Sequence, residues 1–164
     1  MYIELVKYPD VFLRSVSNDV PFPLDDKTSR LIKFMAKAMY QNHGIGLAAI
    51  QVGYQLRMFV MDCSRSQEEY KVFINPEVIE KSIETLRDSE GCLSAPGKTG
   101  DVKRHIRIIL KYQDQGGKEQ RKTFYNLEAR CIQHEMDHLE GKLCIDSVSY
   151  THLRAHETSL HLVC

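Results

Sequence analysis

"CIQHEMDHLEG", residues 131–141, decides how this chain is read. It places His134 and His138 four positions apart, with Glu135 directly after the first histidine. On an α-helix, residues at i and i+4 share a face. Both imidazoles therefore turn to one side, the arrangement of the metal-binding pattern H-E-x-x-H. Cys131 and Leu139 beside the pair argue against a solvated surface helix. A catalytic site of this kind uses three protein ligands and keeps a position for water. The continuation "LEGKLCIDSV" (139–148) lacks the later histidine and glycine of the metzincin pattern. The third ligand must come from elsewhere. Cys92, His43, His105 and the histidines near the end of the chain are the candidates. Cys92 sits in "SEGCLSAPG" (89–97), where a soft thiolate is flanked by glycine and small residues that let backbone approach closely.

The pattern around the pair predicts a helix over about 127–140, capped by Asn126 and ended by Gly141. Leu127, Cys131, His134 and His138 recur at i, i+4, i+7 and i+11, so one stripe carries them inward. An earlier helix runs from Asp25 or Asp26 to about Asn42, with Leu31, Ile32, Met35 and Met39 as its core face and Gly44 as its stop. Before it, residues 9–24 hold three prolines and read as an extended arm. "LRMFVMDC" (56–63) and "YKVFINP" (70–76) read as strands around the turn "SRSQEE", and 77–86 as a further strand. "HIRIILKYQD" (105–114) and "EQRKTFY" (119–125) flank "QGGK", a hairpin signal. Strands in the middle with helices near both ends give an α+β domain.

The chain has 164 residues, enough for one domain with a sizeable core. Lysine plus arginine equals 22, as does aspartate plus glutamate, so charge gives no nucleic-acid or anionic-membrane signal. The longest apolar-leaning run, "HGIGLAAIQVGYQLRMFVMDC" (43–63), is broken by Gly, Gln and Arg and does not read as a membrane span. "MYIELVKYPD" resembles neither a signal nor a transit peptide, and the chain reads as cytoplasmic, an organelle being the other setting. The five cysteines are odd in number and scattered, which fits reduced thiols better than disulfides. Cys63, Cys131 and Cys144 read as small buried hydrophobes.

Three strings, "GIGLAAIQVG" (44–53), "EGCLS" (90–94) and "QHEMDHLEG" (133–141), stand in the order of the three motifs of the peptide deformylase family. "YPDVFLRSVS" (8–17) is similar to that family's N-terminal segment, and the resemblance runs from residue 1 to about 146. It implies the family's fold, mixed and antiparallel sheets packed around a central helix carrying H-E-x-x-H. It implies removal of the formyl group from N-formylmethionyl nascent peptides. It also makes Cys92, His134 and His138 the metal ligands, with Fe2+ the usual metal and Zn2+, Ni2+ or Co2+ able to replace it. Ligand chemistry alone points to zinc. The resemblance assigns oxyanion donation to the Gln51 side-chain amide and the Leu93 backbone N–H. Glu135, next to a ligand, suits the general base.

Gly44 and Gly46 would let a peptide lie against this loop as an added strand, bonded through its main chain. Ile45, Leu127 and Cys131 are the candidates for a methionine pocket. Glu90 and Arg104 are expected to pair and brace the Cys92 loop. Thr99 stands where some relatives carry an arginine toward the peptide. The resemblance ends near Ser147, which sets a catalytic domain at 1–147 and leaves 148–164 as an atypical tail, peripheral or foreign to the domain. His152, His156 and His161 in that tail read as peripheral rather than as a second metal cluster. The implied partner is the formylated nascent peptide, met near the ribosome by a monomeric enzyme. Two other readings fit an H-E-x-x-H helix: a metallopeptidase, and a non-catalytic metal- or peptide-binding module. Cys92 as a ligand disfavours the first, and the presence of Glu135 and Gln51 disfavours the second.

Overall fold

Met58–Met61 (β2) is buried along its whole length, and the reason is its period of two. Met58 and Val60 face one way, into a cluster with Leu31, Ile32, Met35, Ala38 and Met39 of the helix Asp26–Gln41 (α1). Phe59 and Met61 face the other way, into a cluster with Ala129, Cys131, Ile132 and Leu139 of the helix Asn126–Leu139 (α2). A strand with a helix on each face must be apolar at every position, and "MFVM" is. Fully burying each such side chain contributes roughly 1.5–3 kcal/mol.

The computed structural model describes residues 4–147 and 162–164. Its larger sheet has the order β1-β2-β3-β6-β7, every pair antiparallel, where β1 is Gly46–Ala48, β3 Lys71–Lys81, β6 Arg107–Gln113 and β7 Glu119–Tyr125. A second sheet has the order β5-β4-β8, with β4 Thr85–Gly91, β5 Thr99–His105 and β8 Leu162–Val163. Strands β4 and β5 are antiparallel, and β8 lies parallel to β4. Phe59 stacks on Phe73 with centroids 4.9 Å apart, and Tyr112 tilts against Phe73 at 4.7 Å, filling the space beneath α2. The architecture is α+β: one antiparallel and one mixed sheet around a helix that carries the H-E-x-x-H stretch.

Several local expectations shift. The strand expected at 70–76 continues through Lys81 as one β3, because a register shift between Ile74 and Glu77 accommodates Pro76, which has no N–H for the ladder, and the end of the strand expected at 77–86 belongs to the next strand, Thr85–Gly91. Asn75 stands there at φ +50°, and its side chain bonds both backbone groups of Val20, which anchors the arm. Helix α1 starts as expected, with the Asp25 carboxylate accepting from Thr28 N at 2.7 Å. It ends through His43, at φ +58°, rather than through Gly44. Asn126 does not cap α2: Tyr125 holds that position, no side chain caps it, and Asn126 itself lies at φ +52°. Gly141, at φ +74°, does close the helix, with its N–H donating to His138 O.

Candidate metal centre

Helix α2 and the end of β4 meet here. The helix turns its buried stripe toward the sheets, so Cys131, His134, Glu135 and His138 are all buried. Beyond the last residue of β4, Cys92 is buried beside them. His134 Nε2 lies 3.1 Å from His138 Nε2, and Cys92 Sγ lies 3.4 Å from His138 Nε2. A tetrahedral zinc-type ion with ordinary ligand lengths would separate two such nitrogens by about 3.4 Å, and a nitrogen and a sulfur by about 3.6 Å. The three atoms thus already stand at nearly the spacing of a first coordination sphere.

Protons tell the same story. Glu90, fully buried, accepts from His134 Nδ1 at 2.9 Å. Burial alone would raise the Glu90 carboxyl, but the bonds from His134 and Arg104 and the Arg104 charge hold it down to about 2. An anionic Glu90 keeps the His134 proton on Nδ1 and leaves the Nε2 lone pair free. Burial pushes His138 well below its ordinary value, so it is neutral. Its Nδ1 is buried without a hydrogen-bond partner among the described residues. Burial also pushes the Cys92 thiol up, so a cation must replace its proton before the sulfur becomes a thiolate. A thiol and two imidazoles with converging donor atoms are a set suited to a divalent metal.

Both oxygens of Glu135 are buried beside this triad, without a partner of good geometry among the described residues. Burial pushes the carboxyl up to about 8, against a lowering from the neighbouring Cys164 thiol. A carboxyl kept near neutrality and left unbonded is ready to exchange a proton. Gln51 is wholly buried; its Oε1 accepts from Ala48 N at 2.9 Å. That bond fixes the amide so that Nε2 faces Cys92 Sγ at 3.6 Å and Ser94 Oγ at 3.2 Å.

The other named residues fall in different places. Glu90 and Arg104 do pair, through Nε at 3.0 Å and Nη2 at 2.9 Å, and Arg104 Nη1 adds Asp137 at 2.6 Å. Ile45 packs against the cluster holding Cys131, and its carbonyl lies 3.8 Å from Cys131 Sγ. Leu127 does not follow the stripe inward. It is 47 % exposed and borders a cleft of about 420 Å³ with Cys63 and Tyr125. Gly46 is a close approach: a Cβ there would lie 2.6 Å from Glu135 Oε1 and 2.7 Å from Cys131 Sγ. Of the alternative ligands, His43 is exposed and His105 Nδ1 bonds Ser82 O at 2.7 Å, away from the pair. His152, His156 and His161 lie outside the described residues.

The end of the chain departs from a peripheral tail. Among its described residues, β8 pairs with Glu90 and Gly91, Val163 O accepts from Ile45 N at 2.9 Å, and Cys164 O accepts from Leu93 N at 2.7 Å. Cys164 Sγ reaches 3.3 Å from Cys131 Sγ. Three residues thus lie as an added strand between the Ile45 loop and the Cys92 loop, supported by main-chain bonds. Sequence reasoning missed this, since "LVC" carries no motif. It also missed Ser94, Asp137 and Arg130, whose Nη1 reaches Glu90 Oε2 at 2.6 Å. Arg130 stands one turn before His134, so a cation on that buried stripe was the available signal.

The chain is similar to known proteins over most of its length. A family model of polypeptide deformylases matches residues 2–153, past the boundary expected at 147. The peptide deformylase of Bartonella henselae is 44 % identical over 147 residues, covering 88 % of this chain and 83 % of that one. The crystal structure of a peptide deformylase from Legionella pneumophila superposes with a TM-score of 0.86 at 36 % identity, covering 92 % and 88 % of the two chains. A Met-Ala-Ser-bound peptide deformylase from Acinetobacter baumannii superposes at 0.84 with 27 % identity, covering 90 % and 99 %. With Cys92, His134 and His138 converging beside Glu135 and the family match spanning almost the whole chain, this protein belongs to the polypeptide deformylase family.

Proposed function

We propose that this chain hydrolyses the formyl amide of N-formylmethionyl nascent peptides at the Cys92–His134–His138 centre, releasing formate and a free methionine amine. The carrying observation is the convergence of these three buried donors beside an unbonded, buried Glu135. A divalent metal held there supplies Lewis acidity and an acidified water. Fe2+ is the metal we assign, with Zn2+, Ni2+ or Co2+ as replacements. Glu135 takes the water's proton as hydroxide attacks the formyl carbon. Charge gathers on the formyl oxygen, which Gln51 Nε2–H and Leu93 N–H stabilise. The C–N bond then breaks and Glu135 passes its proton to the departing amine.

The peptide lies as a strand along Gly44, Ile45 and Gly46, with its methionine against Ile45 and Cys131 and its continuation passing Leu127. The backbone N–H groups of Ile45 and Leu93 support this pose, since both already bind an extended segment of this chain. Main-chain recognition accepts many following residues, which suits an enzyme that meets every nascent chain. Residues 1–147 form the catalytic domain and act as a monomer in the cytoplasm near the ribosome. No helix among the described residues is long and apolar enough to cross a membrane. A peptidase or a pure binding module is the weaker reading.

Formyl-Met-Ala and an unformylated peptide cut at an internal bond decide between these. Release of formate from the first alone is expected; cleavage of only the second would sink the assignment. Anaerobic purification with elemental analysis tests the metal. Iron in near-stoichiometric amount, and activity lost in air as iron and thiolate oxidise, is the expected result.

A further inference from the structure

We infer that Arg130 is a positioning residue of the metal centre: it locks the helix that carries His134 and His138 against the strand that leads into Cys92. The ligand set is divided between two elements, α2 and the end of β4. Its geometry depends on how those elements are registered. Arg130, buried on α2, donates from Nη1 to Glu90 Oε2 at 2.6 Å and to Val102 O at 3.0 Å, and from Nη2 to Leu86 O at 2.5 Å. One guanidinium thus grips β4 at two points and β5 at one.

The position of the grip matters. Arg130 lies one helical turn before His134, and Glu90 lies two residues before Cys92. A second tie sits at the other end of the ligand pair, where Arg104 of β5 donates to Asp137, the residue before His138. The two ties stand on either side of His134, and the second is adjacent to His138. Arg104 also shares Glu90, so one carboxylate accepts four bonds from three side chains and has no capacity left over. Removing Arg130 leaves Glu90 Oε2 with the Arg104 Nε bond alone and frees the first half of α2 from the hairpin. The planar fork explains why arginine stands here: lysine delivers one point of charge and cannot span a carboxylate and two carbonyls together.

This inference rests on Cys92, His134 and His138 being the ligands, and the two are separable. Metal-free parent protein is titrated with Co2+ against a competing chelator, and the visible Co2+ spectrum is recorded. Parent protein that binds no Co2+, or H134A that binds it as well as the parent, overturns the ligand set and this inference with it. Given parent binding, R130M is expected to weaken Co2+ affinity by about 10–100-fold and to alter the spectrum. R130K should fall between the two. Affinity and spectrum equal to the parent's in R130M would overturn the inference, whatever its melting temperature, because a merely structural role lowers stability alone. Should R130M fail to fold, R130K decides: parent-like affinity and spectrum in that variant overturn it equally.

Discussion

Glu90 Oε1 accepts from His134 Nδ1 at 2.9 Å, and neither group is open to solvent. This bond fixes the tautomer and the ring plane of His134, as its proposed role as a metal ligand requires. The same carboxylate is the counter-charge for Arg104 and Arg130. Glu90→Ala leaves two buried guanidinium groups without it. Removing one partner of such a cluster costs about 3–5 kcal/mol. Urea unfolding of the metal-free variant should show that loss, and metal content after purification should fall with it. A loss below about 1 kcal/mol would mean that water already compensates these arginines.

With Glu135 as the proposed proton carrier, Glu135→Gln should retain metal and lose roughly 10²–10⁴-fold in kcat. Turnover near the parent's would remove it from the reaction. The same residue shapes the pH dependence of the metal-free protein. Its folded carboxyl is raised to about 8, so the unfolded chain gives up this proton first. Its contribution is full below the ordinary glutamate range and is lost as pH rises toward 8. Glu90, held down to about 2, acts in the opposite sense: its contribution is present above the ordinary range and is lost as pH falls toward 2. Metal-free protein should therefore be most stable in mildly acidic solution. In Glu135→Gln the decline between pH 5 and about 8 should flatten, as read by urea midpoints; an unchanged decline would place its origin elsewhere.

The legible parts of this molecule were those where chemistry and periodicity coincide. His134 and His138 could be placed because four-residue spacing has one meaning on a helix. The β6–β7 hairpin followed from alternating apolar residues around "QGGK". The β4–β5 hairpin was obscured because its inward residues include Gly100 and Arg104, which do not read as core. Arg104 and Arg130 are buried only because Glu90 lies between them, a pairing across separate elements that no local pattern announces. Leu127 failed for the reverse reason: its spacing is correct, but it borders an open cleft instead of the core. The motifs of the family supplied Cys92 and Gln51, whereas spacing alone left several ligands open.

Val163 and Cys164 occupy the backbone donors Ile45 N and Leu93 N, which the proposed peptide pose would also use. None of the proposed ligands, the proposed base or the proposed amide donor lies beyond residue 147. Deleting 148–164 should leave metal content unchanged and activity intact, with a KM for formyl-Met-Ala no higher than the parent's. Loss of metal or of turnover would make the end of the chain part of the site.

Gln51 tests how much of the rate comes from a neutral donor. Its Oε1 is held by Ala48 N, so Nε2 is preorganised and cannot rotate away to satisfy itself. A donor fixed before reaction stabilises developing charge without further reorganisation. Gln51→Leu keeps the volume and removes both amide functions, which also releases Ala48 N. Gln51→Glu keeps the acceptor for Ala48 N but replaces the donor with a group that repels an oxyanion. Both should lose about 10²–10³-fold in kcat while metal content holds. A common loss in the two variants isolates the donor, because only Gln51→Leu disturbs the Ala48 contact. A large loss in Gln51→Leu beside parent-like turnover in Gln51→Glu would instead assign the residue to shaping the loop.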